Sequence, residues 1–352
     1  MKKIFFRVDS ANHIGNGHLS RCHSLANELL KNNCNVTFIL SEFQEKNYIK
    51  KRRRDLEGFD VEFLPIVPER LSFSSDQTKW LPRSQEEDAI ETMKIIKKKG
   101  GADLLIIDHY SLDIKFESFF AGIKRLVIED GTSRKHECEF LIDGNTELNK
   151  ENYTNNCSLN TKLLLGEKFS LVSPEFYVKA REINKISRVL IYFGGSDFSS
   201  ETSKIVNSIN NKFNNIQFTV LLSADHKDYK SLKEEIVNRE NFSIISDVKN
   251  MSQVLAEHDF FLGSLGYITW ERIASRLPGI AKIVAQNQEI IYQELSRLKM
   301  HDSIIETDSS VQMISLFDEY VKNKALLNNQ LYKINRIYRS VGVSNIVKTL
   351  DL

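Results

Sequence analysis

A histidine placed directly after a glycine turn is the first residue of this chain positioned to do chemistry. Residues 11–23 read ANHIGNGHLSRCH and set His18 behind Gly15 and Gly17, just past the apolar run KIFFRV (3–8). A strand, a glycine turn and a helix start together turn backbone N–H groups and the positive end of a helix dipole toward an anion. That dipole also disfavours imidazolium, and a neutral ring is able to act as a general base. A histidine that only caps the helix or packs fits the spacing equally well. As a dinucleotide fingerprint the stretch fails. Its third glycine position is Ser20, and the acid expected after the second strand would be Glu42, which comes late.

Further loops follow apolar runs in the same way. In IIDHYSLD (106–113) the residues Asp108, His109 and Tyr110 fall just past a strand, where a tyrosine suits contact with a sugar and an aspartate also suits a helix cap. In YFGGSDFSSETSKIV (192–206) the turn Gly194–Gly195–Ser196–Asp197 precedes a helix, and paired glycines let backbone approach a ligand closely or simply make a tight turn. In FFLGSLGYITWERIASRLPG (260–279) Gly263 and Gly266 lead into a helix with Thr269, Trp270 and Glu271. Its N–H groups suit a diphosphate. Glu271 suits a ribose diol, or ordinary compensation of the dipole. In VAQNQE (284–289) Asn287 and Gln288 open another helix.

The elements that must hold these loops alternate regularly. Apolar runs at 3–8, 35–40, 103–107, 125–128 and 139–142 read as strands. Between the first two, Leu19, Cys22, Leu25, Ala26, Leu29 and Leu30 recur at helical spacing. Before the third, Ser84 and Glu87 form a capping-box start. The pattern restarts with strands at 188–193, 216–222, 242–245, 259–263 and 280–285 and turns mainly helical after Val311. Strands apolar throughout and separated by helices imply parallel sheets covered on both faces. We expect an N-terminal domain over 1–175, a C-terminal domain over 185–325 and a helical tail over 326–352, with a connector in 172–187. Ligands of such sheets bind past the carboxyl ends of the strands, here in a cleft between two domains.

Composition agrees with a globular protein of two domains: 352 residues, 41% hydrophobic and 27% charged. A net charge of +1 gives no field for nucleic acid, and the basic runs KKRRR (50–54) and KIIKKK (94–99) read as solvated helix faces. Cys22, Cys34, Cys138 and Cys157 have no paired or metal-ligand spacing, which fits reduced thiols in the cytoplasm. No stretch has the length or apolarity of a membrane span.

Taken in order, the motifs resemble a known family. GNGHLSRC (15–22), DLLIIDHYSLD (103–113), LIDGN (141–145), LLLGEKFSLVSPEF (163–176), FGGSD (193–197), WERIASRLP (270–278) and AQNQ (285–288) are similar to the UDP-2,4-diacetamido-2,4,6-trideoxy-β-L-altropyranose hydrolases of bacterial pseudaminic acid biosynthesis. The resemblance implies an α/β, GT-B-like fold, with two Rossmann-like domains whose parallel sheets face across a cleft. It implies a monomer that hydrolyses a UDP-sugar to UDP and free sugar, with no metal and no other cofactor. It casts His18 as the catalytic residue, with Tyr110 and Asn287 beside it, and Glu271 as the ribose acid. Gly15, Gly17, Arg21, Asp108 and His109 are the substrate contacts expected in the first domain. Gly194, Gly195, Ser196, Gly266, Thr269 and Gln288 are those expected in the second. The chain departs from the family at Ser173, Leu265, Tyr267 and the pair Met300–His301, changes that bear on the identity of the sugar. Two rival readings use the same loops. One is a GT-B glycosyltransferase, in which His18 deprotonates an acceptor hydroxyl and KKRRR forms the acceptor surface; the other is a sugar-nucleotide binder without turnover.

Overall fold

The computed structural model describes residues 1–352 apart from 12, 46, 68–76, 132–133, 195–196, 198, 210–211, 247, 249, 286–287, 301–303, 306–309 and 338–340. The chain forms two units, Met1–Ser173 together with Ser340–Leu352, and Pro174–Arg339.

The first unit is built on strands β1 (Lys3–Val8), β2 (Asn35–Ser41), β3 (Asp60–Leu64), β4 (Leu104–Asp108), β5 (Lys124–Ile128), β6 (Phe140–Asp143) and β7 (Lys162–Leu165). They form one sheet in the order β3-β2-β1-β4-β5-β6-β7, parallel throughout. Strand order reverses between β1 and β4, so the loops leaving these neighbours diverge and open a crevice at the carboxyl edge of the sheet. Val8 pairs with Asp108, so both loops leave the sheet at one level. The inner strands are buried on both faces, with Phe5, Ile39, Leu105, Ile107 and Val127 in one core. Sequence patterning misses two strands of this sheet, β3 and β7, both at its edges. Asp60 and Glu62 of β3 face Lys99 in ion pairs, which breaks the apolar signal.

One charge lies in the middle of this core. Arg7 of β1 is wholly buried and donates from Nε and Nη2 to Asp88, both at 2.7 Å, and from Nη1 to Asp9 at 2.6 Å. Burial alone would lower its pKa; Asp88 and Asp9 outweigh that and hold the guanidinium charged. An unpaired buried charge costs several kcal/mol, so this pairing fixes the helix Gln85–Lys98 over β1. That helix starts as its sequence predicts: Ser84 Oγ accepts from Glu87 N at 3.2 Å, and Glu87 Oε2 accepts from Ser84 N at 2.9 Å.

The second unit repeats the plan with β8 (Arg188–Tyr192), β9 (Gln217–Leu221), β10 (Phe242–Ile245), β11 (Phe260–Ser264), β12 (Gly279–Lys282) and β13 (Ile304–Ile305). Its parallel order is β10-β9-β8-β11-β12-β13, and it reverses between β8 and β11. Gly263 is a strand residue rather than part of the ligand loop: a Cβ there would lie 2.0 Å from Tyr192 O, so β8 and β11 themselves demand glycine.

The stretch expected as one helical tail is divided. Lys324–Ile334 belongs to the second unit, and Gly342–Leu350 to the first. There Ser344 donates to Glu28 Oε1 at 2.6 Å, and Asn345 donates to Lys168 O at 2.8 Å. Among the described residues no helix is long and apolar enough to cross a membrane.

Candidate active site

His18 stands in the first turn of the helix Gly17–Lys31, at the crevice between β1 and β4. Gly15 makes the approach possible with φ of +83°, a conformation that costs glycine nothing. Gly17 has no packing reason to be glycine, because a Cβ there would meet nothing within 4 Å. That free space lies at a helix start with no acid in its first turn and no side-chain cap.

The imidazole is oriented from behind. Its Nδ1 lies 2.6 Å from Asp108 Oδ1, at the end of β4, and 3.2 Å from Arg21 Nη2. Burial alone would raise the Asp108 carboxyl; Arg21 and His18 beside it hold it well below the usual carboxylate range. An ionised carboxylate only accepts, so Nδ1 carries the proton and donates to Asp108. Arg21 therefore passes Nδ1 without bonding it. This tautomer leaves Nε2 with a lone pair, and Nε2 has no hydrogen-bond partner among the described residues. The Tyr110 ring meets the imidazole edge-on at 4.5 Å, which restricts its rotation.

A second carboxylate completes the support. Arg21 donates from Nε and Nη2 to both oxygens of Asp108, at 2.7 and 2.6 Å, and from Nη1 to Asp130 at 2.7 Å. Asp130 also accepts from the Tyr110 hydroxyl and from Asn145 Nδ2, the latter at 2.6 Å. Behind it, Asn145 N donates to Asp143, whose carboxyl burial and the Asp130 charge push up to about 7. Arg21 is thus paired with two carboxylates. His109, expected like it as a ligand contact, also has partners within the protein. Its ring is buried, Nδ1 accepts from Ser111 N at 3.1 Å, and Nε2 faces Asp9 at 3.2 Å. Asp130 and Asn145 escaped the residue-by-residue reading. Their signal was available, since each follows the end of a strand, β5 and β6.

In the second unit Gly194 follows β8 with φ of +98° and open space where a Cβ would stand. Gly195, Ser196 and Asn287 lie outside the described residues. At the N-terminus of the helix Glu201–Ile209 the first amides are met by the chain's own Asp197. Asp197 accepts from Glu201 N and Thr202 N, both at 2.9 Å. The helix Ile268–Ala274 has no side-chain cap. Thr269 there is buried, and its hydroxyl has no partner among the described residues. Gln288 accepts from Val284 N at 2.8 Å and points its Nε2 at Gly266, where a Cβ would stand 3.8 Å away. Burial, and then the Glu175 charge, push the Glu271 carboxyl up to about 8.

No protein-family model matches the chain. It is 24% identical over 292 residues to the UDP-2,4-diacetamido-2,4,6-trideoxy-beta-L-altropyranose hydrolase of Campylobacter jejuni, covering 82% of this chain and 93% of that protein. It is 23% identical over 333 residues to an uncharacterized protein of Methanocaldococcus jannaschii, covering 90% of this chain and 61% of that one, so it spans less than two thirds of that relative's length. Solved structures resemble it over nearly their whole length. UGT2 of Phytolacca americana, complexed with UDP-2-fluoro-glucose and pterostilbene, superposes with a TM-score of 0.70 at 12% identity, over 100% of this chain and 99% of that one. MurG of Acinetobacter baumannii does so with 0.62 at 12%, over 100% and 99%. UDP-GlcNAc 2-epimerase of Neisseria meningitidis, bound to UDP-GlcNAc, does so with 0.61 at 11%, over 99% of each chain. The fold is GT-B-like, two Rossmann-like units each on a parallel sheet, and the sequence is similar to that of a UDP-diacetamido-trideoxy-sugar hydrolase.

Proposed function

We propose that this protein hydrolyses a UDP-linked 2,4-diacetamido-2,4,6-trideoxy sugar to UDP and the free sugar, within nonulosonic (pseudaminic) acid synthesis. The observation that carries the proposal is the His18–Asp108 pair, in which Nδ1 is turned to the carboxylate and Nε2 is left open. His18 Nε2 takes a proton from water as the water oxygen bonds to the anomeric carbon. The bond from that carbon to the diphosphate oxygen breaks, and its electron pair leaves with UDP. Displacement at carbon inverts the anomeric centre. Tyr110 and Asn287 are assigned as the further catalytic residues. Backbone at Gly194, Gly195, Ser196 and Gly266 is assigned to the nucleotide, with Thr269 and Gln288, and preorganised N–H groups favour the departing charge. The reaction as written needs no metal.

Hydrolysis in ¹⁸O water tests the bond cleaved. Label is expected in the sugar; label in UDP places the attack at phosphorus and ends the anomeric mechanism. The fold shared with a UDP-glucosyltransferase of Polygonum tinctorium supports a second reading, transfer to an acceptor hydroxyl by the same base. UDP release with no acceptor present is the expected result, and its strict dependence on an added acceptor would favour transfer.

The ribose assignment of Glu271 makes a prediction of definite sign. Diol hydroxyls donate to a carboxylate, so UDP binding favours the ionised form of a group that is otherwise mostly protonated below about 8. Binding then releases a proton, and affinity rises with pH until the free carboxyl is fully ionised. Calorimetry of UDP in buffers of different ionisation heat near neutral pH reads that proton. Glu271→Gln should abolish the release and the pH dependence together. Proton uptake, or none, in the wild-type protein removes Glu271 from the ribose site.

A further inference from the structure

The run KKRRR contains one residue that does not face solvent. Arg52, in the helix Tyr48–Asp55, is buried, whereas Arg53 and Arg54 are exposed. Its Nη1 donates to Ser10 Oγ at 2.5 Å and to Asn16 Oδ1 at 3.0 Å. Its Nη2 pairs with Asp55 at 3.2 Å, and its guanidinium stacks over Tyr48. Ser10 and Asn16 are the two ends of the turn that precedes His18. Between them Ala11 O accepts from Ile14 N at 3.1 Å and from Gly15 N at 2.8 Å. The Ser10 hydroxyl has one proton to give, and it lies 3.0 Å from Gly15 O and 2.7 Å from Asn16 Oδ1.

A glycine-containing turn has many conformations to lose, and two bonds from one fixed cation remove them. The same bonds redirect Asn16. It occupies the N-cap position, where an asparagine side chain usually accepts from an amide of the first turn, yet it makes no such bond. Its Oδ1 is held by Arg52 and Ser10 instead. An Arg52 that served only to fill space would need no partner on this turn.

We infer that Arg52 is a positioning residue of the reaction. It locks the 10–16 turn and thereby sets where His18 enters the first turn of its helix. This rests on the reading of His18 as the base, and the experiment separates the two. Misplacing a base by about 1 Å costs on the order of 10²-fold, so Arg52→Ala should lower kcat by ~10–10²-fold while KM changes little. Groups that act as a unit are not additive, so in a His18→Ala background Arg52→Ala should cost nothing further. Arg52→Lys, which keeps the charge and one donor, should recover part of the rate. Amide hydrogen exchange at Gly15 and Ser20 should quicken by ~10-fold or more in Arg52→Ala, with β1 unchanged. Equal losses in both backgrounds, or unchanged exchange in the turn, overturn the proposal. If Arg52→Ala fails to fold, Asn16→Ala, at an exposed position, removes one bond of the clamp and should show the same exchange and a smaller loss of kcat. A His18→Ala protein with wild-type turnover would refute the base instead, and the exchange data would still decide whether Arg52 holds the turn.

Discussion

Replacing His18 with alanine is expected to lower kcat by ~10²–10⁴-fold, the usual contribution of a positioned general base. UDP affinity should stay within about twofold of wild type, because His18 belongs to the first unit and the residues assigned to UDP to the second. The loss falls on kcat because the imidazole acts on water as the anomeric bond breaks. The protein should survive the change. Alanine suits a helix, and Arg21 still neutralises Asp108 through two hydrogen bonds. Circular dichroism and a UDP titration establish that the purified variant is folded and loaded. Single-turnover release of UDP then measures the chemistry. A folded variant that releases UDP at the wild-type rate would remove His18 from the mechanism and leave the Asp108 pair as structural.

How far the sequence reveals this arrangement depends on where a residue's partners come from. Inner strands such as β1 and β4 are mostly apolar, so their positions are plain from a window of a few residues. The edge strand β3 carries charges on one side and is invisible at that scale, and β7 has only four residues. His18 could be singled out because its surroundings are local: a strand, two glycines and a helix start. Its proposed role could not, since capping and catalysis share that spacing and its partner Asp108 stands 90 residues on. His109 shows the converse. It stands beside Asp108 in a motif and looks equally exposed to ligand, but alternation along the backbone turns it inward to Asp9, itself paired with the buried Arg7. Arg52 was hidden by its company, because a run of cations reads as solvated whichever member faces in. Asp197 teaches a further limit. A glycine-rich turn before a helix suggests an open anion site, and only the geometry reveals that the aspartate already occupies it.

Asp108→Asn is expected to cost nearly as much activity as the loss of the histidine itself, ~10³–10⁴-fold in kcat, although Asp108 is buried behind the imidazole. The carboxylate accepts from Nδ1 and so fixes the proton there, with Nε2 left as the base. An amide at that position offers N–H donors as well as an oxygen. Arg21 donates to both carboxylate oxygens at 2.7 and 2.6 Å, and it would keep the amide oxygen for itself. The NH₂ group then faces Nδ1 and donates to it, so the ring proton moves to Nε2 and the base is lost. The fold pays separately. Arg21 keeps Asp130 but loses half of its charge compensation, and breaking a buried pair costs about 3–5 kcal/mol. Stability and tautomer are read independently: a thermal melt gives the first, and ¹⁵N shifts of the His18 ring give the second. Wild-type protein should show a protonated Nδ1 and the variant a protonated Nε2. A variant that melts lower yet keeps the wild-type tautomer and turnover would mean that the Asp108 carboxylate serves the fold alone. The combination of displaced proton and lost turnover would tie the two together, because a purely structural aspartate has no means of choosing which nitrogen of His18 is left unprotonated.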